Sequence, residues 1–251
     1  MSESHLDQLA RQLQCANHIV VLSGAGMSTE SGIPDFRSAN GLWTRDMSLA
    51  EAISVDYFHR DPVAFWQSFK SIFSIKLAGG YQPNDGHLFL AWLEACGKRV
   101  TVLTQNIDGL HHRAGSREVI ELHGTLMTAH CPSCGTKHGL DYINRDVLPQ
   151  CSVCADVLKP DVVLYGEAVP NMEKAMRRAT EGDFLLVMGS SLEVSPVNYL
   201  PVLCAERQIP SALINLSATR LDSLFTITIR AGIGETCQKL RQCLMTLADQ
   251  R

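Results

Sequence analysis

Four cysteines stand as two close pairs, Cys131-x2-Cys134 and Cys151-x2-Cys154, with sixteen residues between the pairs. Two thiolate pairs at this spacing can close a tetrahedron around Zn2+. Four sulfur ligands leave no open position for water, so such a site would be structural. Two disulfides or free thiols are the other readings of the same spacing. A second chemical signal is Ser23-Gly24-Ala25-Gly26, which ends the apolar run His18–Leu22. Glycines after a strand allow a tight turn and a close approach of backbone to a pyrophosphate. Thr29, however, stands where a dinucleotide fingerprint has its third glycine, and a plain structural turn suits these residues as well. A third signal is His123, at the end of a strand-like segment and just before the cysteines. An imidazole titrates near neutrality and can act as a general base, although a lone histidine is more often structural.

These groups need a frame. Leu6, Leu9 and Leu13 are at helical spacing within 4–16, and Phe65, Trp66, Phe69, Ile72 and Phe73 mark a helix over 62–77. Further helices are predicted at 86–97, 173–180, 197–207 and 235–249. Strands are predicted at 18–22, 99–104, 118–122, 161–164, 184–188 and 212–215. Strands alternate with helices, which favours a parallel sheet covered on both faces. Three strand ends are glycine-rich or polar: Ser23-Gly24-Ala25-Gly26, Gly189-Ser190-Ser191 and Asn215-Leu216-Ser217. Ligands of open α/β sheets bind outside the carboxyl ends of strands, so these three are expected to line one crevice.

The chain has 251 residues, 45% of them hydrophobic, and a formal charge of -4. That is enough for one large α/β domain with a small insert. The charge gives no reason to expect binding to nucleic acid or an anionic membrane. No stretch approaches the roughly 18 apolar residues of a membrane span, and the start lacks a secretory signal. A reducing, cytoplasmic setting is the expectation, in which paired cysteines favour metal over disulfides. The other five cysteines (Cys15, Cys96, Cys204, Cys237, Cys243) are read as small core residues.

Beyond the glycine turn the chain continues to Ser31-Gly32-Ile33-Pro34-Asp35-Phe36-Arg37. The whole run resembles the sirtuin signature Gly-Ala-Gly-x-Ser-x-x-Ser-Gly-Ile-Pro-Asp-Phe-Arg at every fixed position. Thr104-Gln105-Asn106-Ile107-Asp108, His123-Gly124, Lys159 to Glu167, Gly189 to Val194 and Ile214-Asn215 resemble the later motifs of that family, in order. The resemblance implies a Rossmann-like parallel-sheet domain (1-36, 79-126 and 159-251). It also implies a small lobe made of a helical insert and a zinc ribbon (37-78 and 127-158). The implied activity is that of an NAD-dependent protein lysine deacetylase, with NAD as co-substrate, one structural Zn2+, and acetyl-lysine proteins as partners. In the implied reaction the acyl oxygen attacks the nicotinamide ribose, nicotinamide leaves, and the acyl group moves by way of a ribose hydroxyl to give O-acetyl-ADP-ribose.

Roles follow from the same resemblance. His123 would be the general base, with Asn106 and Asp108 beside it as catalytic groups. Asp108 and Ile107 would hold the nicotinamide carboxamide, and Gln105 and Asn106 the ribose. Gly24, Ala25, Gly26, Thr29 and Arg37 would lie near the phosphates, and Phe36 would cover the reacting ribose. Gly189, Ser190, Ser191, Asn215, Leu216 and Ile233 would contact the remainder of the cofactor. Val163, Tyr165, Gly166 and Glu167 would pair with the substrate peptide by edge addition. Relatives that remove succinyl or malonyl groups carry a Tyr and an Arg where alignment places Phe69 and Ile72. Apolar residues there would leave an acyl carboxylate unpaired, so acetyl or longer apolar groups are expected. Protein ADP-ribosyl transfer and a non-catalytic NAD-sensing adaptor are the alternatives. His123 argues against the first, and the intact Gln105–Asp108 set against the second.

Overall fold

Runs such as His-Ile-Val-Val-Leu-Ser and Phe-Leu-Leu-Val-Met are apolar throughout, a pattern that suits strands covered on both faces. The computed structural model describes residues 4–35, 51–77 and 80–249. In it, β1 (His18–Ser23) and β7 (Phe184–Met188) are buried at every position. They pair in parallel at the centre of a sheet. The other members are β2 (Arg99–Thr104), β3 (Glu118–Glu121), β8 (Ser211–Ile214) and β9 (Ile227–Ile229). Among the described residues the sheet has six strands in the order β3-β2-β1-β7-β8-β9, all parallel. This is the doubly wound arrangement, with its topological switch point between β1 and β7.

Helices cover both faces. One face carries α1 (His5–Cys15), α4 (Asp85–Ala95) and α9 (Ile233–Asp249), which close on Leu9, Leu13, Ile19, Val21, Leu90 and Leu240. Ser4 caps α1 by accepting from the Asp7 amide, and Asn84 caps α4 through a box with His87. The other face carries α7 (Met172–Glu181) and α8 (Tyr199–Glu206). A third cluster lies away from the sheet. It joins α2 (Val55–Arg60) and α3 (Pro62–Leu77) to a three-stranded antiparallel sheet. That sheet consists of β4 (Gly124–His130), β5 (Lys137–Gly139) and β6 (Lys159–Val162), in the order β5-β4-β6. Phe65, Trp66, Phe69 and Phe73 are buried there, and the Trp66 indole donates to the Leu158 carbonyl at 2.8 Å. None of the described helices is long and apolar enough to cross a membrane.

The main strands and helices follow the sequence expectation, with three departures. The strand placed at 161–164 begins at Lys159 and belongs to the antiparallel sheet. The strands β4, β5 and β9 and the short helices α2, α5 (Leu110–Arg113) and α6 (Leu140–Ile143) have no counterpart in the sequence expectation. Cys204 and Cys237 are buried as expected, but Cys15 and Cys96 are exposed. Those two fall at the last turn of α1 and just past the end of α4, where side chains leave the packed face.

Candidate functional site

The chain leaves β1 towards β2 on one side and β7 towards β8 on the other, which opens a crevice at the carboxyl ends. A cavity of about 560 Å³ occupies it. Its walls take Gly24, Ala25, Gly26 and Thr29 from the turn after β1, and Gly189, Ser190 and Ser191 from the end of β7. Asn215, Leu216 and Ser217 come from beyond β8, so the three strand ends singled out in the sequence do line one crevice. The glycines are needed first for loop against loop. A Cβ on Gly24 would lie 2.7 Å from the Gly189 carbonyl oxygen, and one on Gly189, whose φ is 63°, would lie 2.3 Å from the Met27 nitrogen. The Gly26 amide donates to the Gly189 carbonyl at 2.9 Å across this contact.

At the other end stand Gln105, Asn106, Ile107 and His123. The Gln105 amide hydrogen-bonds the Ser23 carbonyl, and its side-chain Nε2 donates to Ser190 Oγ at 2.9 Å. Asn106 is buried; its Nδ2 donates to the Gly24 carbonyl and to Ser28 Oγ, both at 3.0 Å. His123 Nδ1 is 3.1 Å from the Gln105 carbonyl oxygen. A carbonyl can only accept, so Nδ1 carries the proton and Nε2 keeps its lone pair. Burial holds the His123 pKa below the ordinary histidine value, opposed by the bond to Gln105. Val163, Tyr165, Gly166 and Glu167 also border the cavity, and the Val163 amide donates to the His123 carbonyl at 2.9 Å.

Behind the site lies a buried polar layer. The His111 ring donates from Nε2 to Ser23 Oγ (2.8 Å), which donates to Thr104 Oγ1 (2.9 Å), which accepts from the Asn106 amide (3.0 Å). The His87 ring lies 4.8 Å from that of His111. Burial lowers His87 to about 4, against an opposing effect of Asp108. His111 is pushed well below its ordinary value, by burial first and then by His87 and His112. Between pH 4 and about 6.5 these two histidines bind more protons in the unfolded chain than in the folded one, so their contribution to stability rises with pH in that window and falls as pH drops. Protonating this buried pair should remove stability on the order of a few kcal/mol by pH 4.5. Urea unfolding at pH 4.5 and 7.5 checks this; equal midpoints would contradict it.

Several of the expected site residues have partners of their own. Asp108 is half-buried and directly follows Ile107 of the cavity wall. Its carboxylate accepts from Ser28 Oγ at 2.7 Å and from the Leu110 amide at 2.9 Å. Phe69 and Ile72 do not face the cavity: Phe69 is inside the aromatic cluster, and Ile53 and Phe73 form that wall. The Glu167 carboxylate is engaged by the Leu164 amide at 2.8 Å and by Lys159 at 3.0 Å, which closes the turn at Gly166. Phe36 and Arg37 lie outside the described residues. Ser28 and Glu30 were not singled out from the sequence. Ser28 sits at a fixed position of the signature, and this alone pointed to it.

The four paired cysteines meet at one point. All their Sγ atoms lie within 4.8 Å of one another, with Cys131–Cys154 at 3.3 Å and Cys134–Cys151 at 3.5 Å. A tetrahedron with Zn–S bonds of about 2.3 Å has edges of about 3.8 Å, so the set fits Zn2+. Each pair is folded by the same turn. The Gly135 amide donates to the Cys131 carbonyl and the Ala155 amide to the Cys151 carbonyl, and both Gly135 and Ala155 have positive φ. This site is separate from the crevice and has no open ligand position.

Comparison with known proteins places these features in a family context. A family model described as Sir2 family matches residues 24–196. The chain is 64% identical over 240 residues to an NAD-dependent protein deacetylase of Chromobacterium violaceum, covering 96% of this chain and 98% of that one. It is 49% identical over 235 residues to an NAD-dependent protein deacetylase of Bacillus subtilis, covering 90% and 94%. Among solved structures, a mutant Sir2 homologue in complex with ADP-ribose superposes with a TM-score of 0.90 at 33% identity, covering 100% of this chain and 99% of that one. A Sir2 mutant with a deacetylated p53 peptide and 3′-O-acetyl-ADP-ribose gives a TM-score of 0.86 at 31% identity, covering 94% and 97%.

Proposed function

The chain belongs to the Sir2 family, and we propose that it acts as an NAD-dependent protein lysine deacetylase in which His123 is the general base. The observation that carries the mechanism is the bond from His123 Nδ1 to the Gln105 carbonyl at the cavity wall. It fixes the tautomer with Nε2 free to take a proton, and burial keeps the ring neutral at physiological pH. NAD supplies the ribose carbon that loses nicotinamide and the hydroxyl that receives the acetyl group. Asn106 spends its Nδ2 on Gly24 and Ser28, so its amide oxygen is the acceptor left for a ribose hydroxyl. Ser190 Oγ holds Gln105 in place. Ile107 borders the nicotinamide end, with Asp108 orienting the segment. The glycines and Thr29 would receive the pyrophosphate, and Phe36 and Arg37 are proposed to join them.

The peptide would lie along Val163–Glu167, whose turn is held by the Lys159–Glu167 ion pair. Ile53, Phe73, Val162 and Leu164 give the acyl end apolar walls. A carboxylate-bearing acyl group would be desolvated against them without a partner, so acetyl and apolar acyl groups are favoured. We place the sheet and its helices in one NAD-binding domain, and the 37-78 insert and 127-158 ribbon in a small lobe. A reducing cytoplasm suits four thiolate ligands, and a net charge of -4 suits proteins rather than nucleic acid as partners.

The test is incubation with an acetyl-lysine peptide, with and without NAD. NAD-dependent loss of acetyl with an equal release of nicotinamide is expected. Nicotinamide release with transfer of label from NAD to protein, without deacetylation, would overturn the reading in favour of ADP-ribosyl transfer.

A further inference from the structure

The helix α9 begins at Ile233, and the residue before it is Gly232. A glycine has no side chain to cap the free amides of a first turn. The cap comes instead from 204 residues away: Glu30 Oε1 accepts from the Gly234 amide at 3.0 Å. The seat is shaped for it, since a Cβ on Gly234 would lie 2.1 Å from Glu30 Oε2. Glu30 belongs to the 3-10 segment Ala25–Ser31, whose Ala25, Gly26 and Thr29 line the cavity. Ile233, at the first position of the helix being capped, lines it too. Behind Ile233 there is no slack: a Cβ on Gly86 would lie 2.6 Å from Ile233 Cγ2.

A carboxylate on the wall of a site for an anionic pyrophosphate would repel it if left bare. The amide end of α9 carries partial positive charge and offsets Glu30. We propose that Glu30 is a positioning residue for NAD binding. It locks the Ile233 wall to the phosphate-side turn, while the free amides of α9 offset part of its charge. This inference rests on the NAD reading of the crevice.

The experiment is calorimetric titration of the full-length protein and its variants with ADP-ribose, with steady-state kinetics beside it. Glu30→Ala should weaken ADP-ribose about tenfold, the scale of one lost bond to a charged group. Glu30→Gln keeps the shape and should cost about threefold. Gly234→Ala ejects the intact carboxylate and should cost more than Glu30→Ala, because an unpaired charge then faces the ligand. Combining Gly234→Ala with Glu30→Ala should recover the difference. The KM for NAD should rise in step, with kcat and the KM for acetyl peptide within about twofold. Unchanged ADP-ribose affinity in Glu30→Gln and Gly234→Ala, or a double variant worse than Gly234→Ala alone, would overturn the proposal. Failure of the wild type to bind ADP-ribose would instead overturn the NAD reading itself.

Discussion

His123→Ala is expected to lower kcat for deacetylation by about 10³-fold, within the range that a positioned general base contributes. ADP-ribose affinity should stay within about threefold, because the glycine turn, Gly189–Ser191 and Asn215 do not depend on the imidazole for their placement. The base is needed when the ribose hydroxyl takes the acyl group, after nicotinamide has left. Exchange of labelled nicotinamide into NAD in the presence of acetyl peptide should therefore suffer less than deacetylation. The wild-type pH profile gives an independent check. Burial lowers the His123 pKa, so the base stays deprotonated, and kcat is held, to a lower pH than an ordinary histidine near 6.5 would allow. An acid limb at or above 6.5, or equal loss of exchange and deacetylation in His123→Ala, would move the base role elsewhere.

Most of the frame could be read from the sequence because the strands are fully buried and carry unbroken apolar runs. His18–Ser23 and Phe184–Met188 admit one interpretation once helices alternate with them. The strands β4 and β5 were not legible for the opposite reason. Gly124–His130 mixes buried and half-buried positions, and Lys137–Gly139 is three residues long. Those strands exist through the turns around the cysteine pairs and the pairing with β6, not through their own pattern.

The site shows the same division. Residues that act through backbone shape or fixed motif position, such as Gly24, Gly189, Asn106 and His123, were found because the motif carries them. The direction of a side chain was not legible. Asp108 turns back to Ser28 and Leu110, because Leu110 opens a short helix whose first amides need an acceptor. In α3 the register was the difficulty. Phe65, Trp66, Phe69, Ile72 and Phe73 are apolar on several faces, and only their packing in the small-lobe cluster shows that Phe73 is the one to reach the cavity. Glu30 is exposed in the fold as well, and its bond to the Gly234 amide of α9 joins residues that are distant in sequence, so it has no local sequence signal.

Cys151→Ser should strongly impair deacetylation while largely sparing ADP-ribose binding. Structural Zn2+ contributes apparent binding energies of about 10–16 kcal/mol in small zinc domains, and in such lobes that energy is folding energy. The ribbon here has few buried residues of its own beyond Cys131, Cys151, Ile143 and Leu158, so loss of one ligand should unfold it. The damage reaches the chemistry through two short connections. His123 directly precedes β4, which runs to His130 beside Cys131. The Val163 amide, just past β6, is bonded to the His123 carbonyl. Unpaired β4 and β6 would leave both the base and the peptide-binding segment unplaced. The six-stranded sheet has its own cores on both faces and makes no use of the metal. Metal analysis should find about one zinc per wild-type chain and almost none in Cys151→Ser. The kcat/KM for acetyl peptide should fall by at least about 10²-fold, with the ADP-ribose Kd within about threefold. A zinc-free protein that retained full activity would show that the thiolates hold the ribbon without metal. Parallel loss of ADP-ribose binding would show that the two sheets fold as one unit.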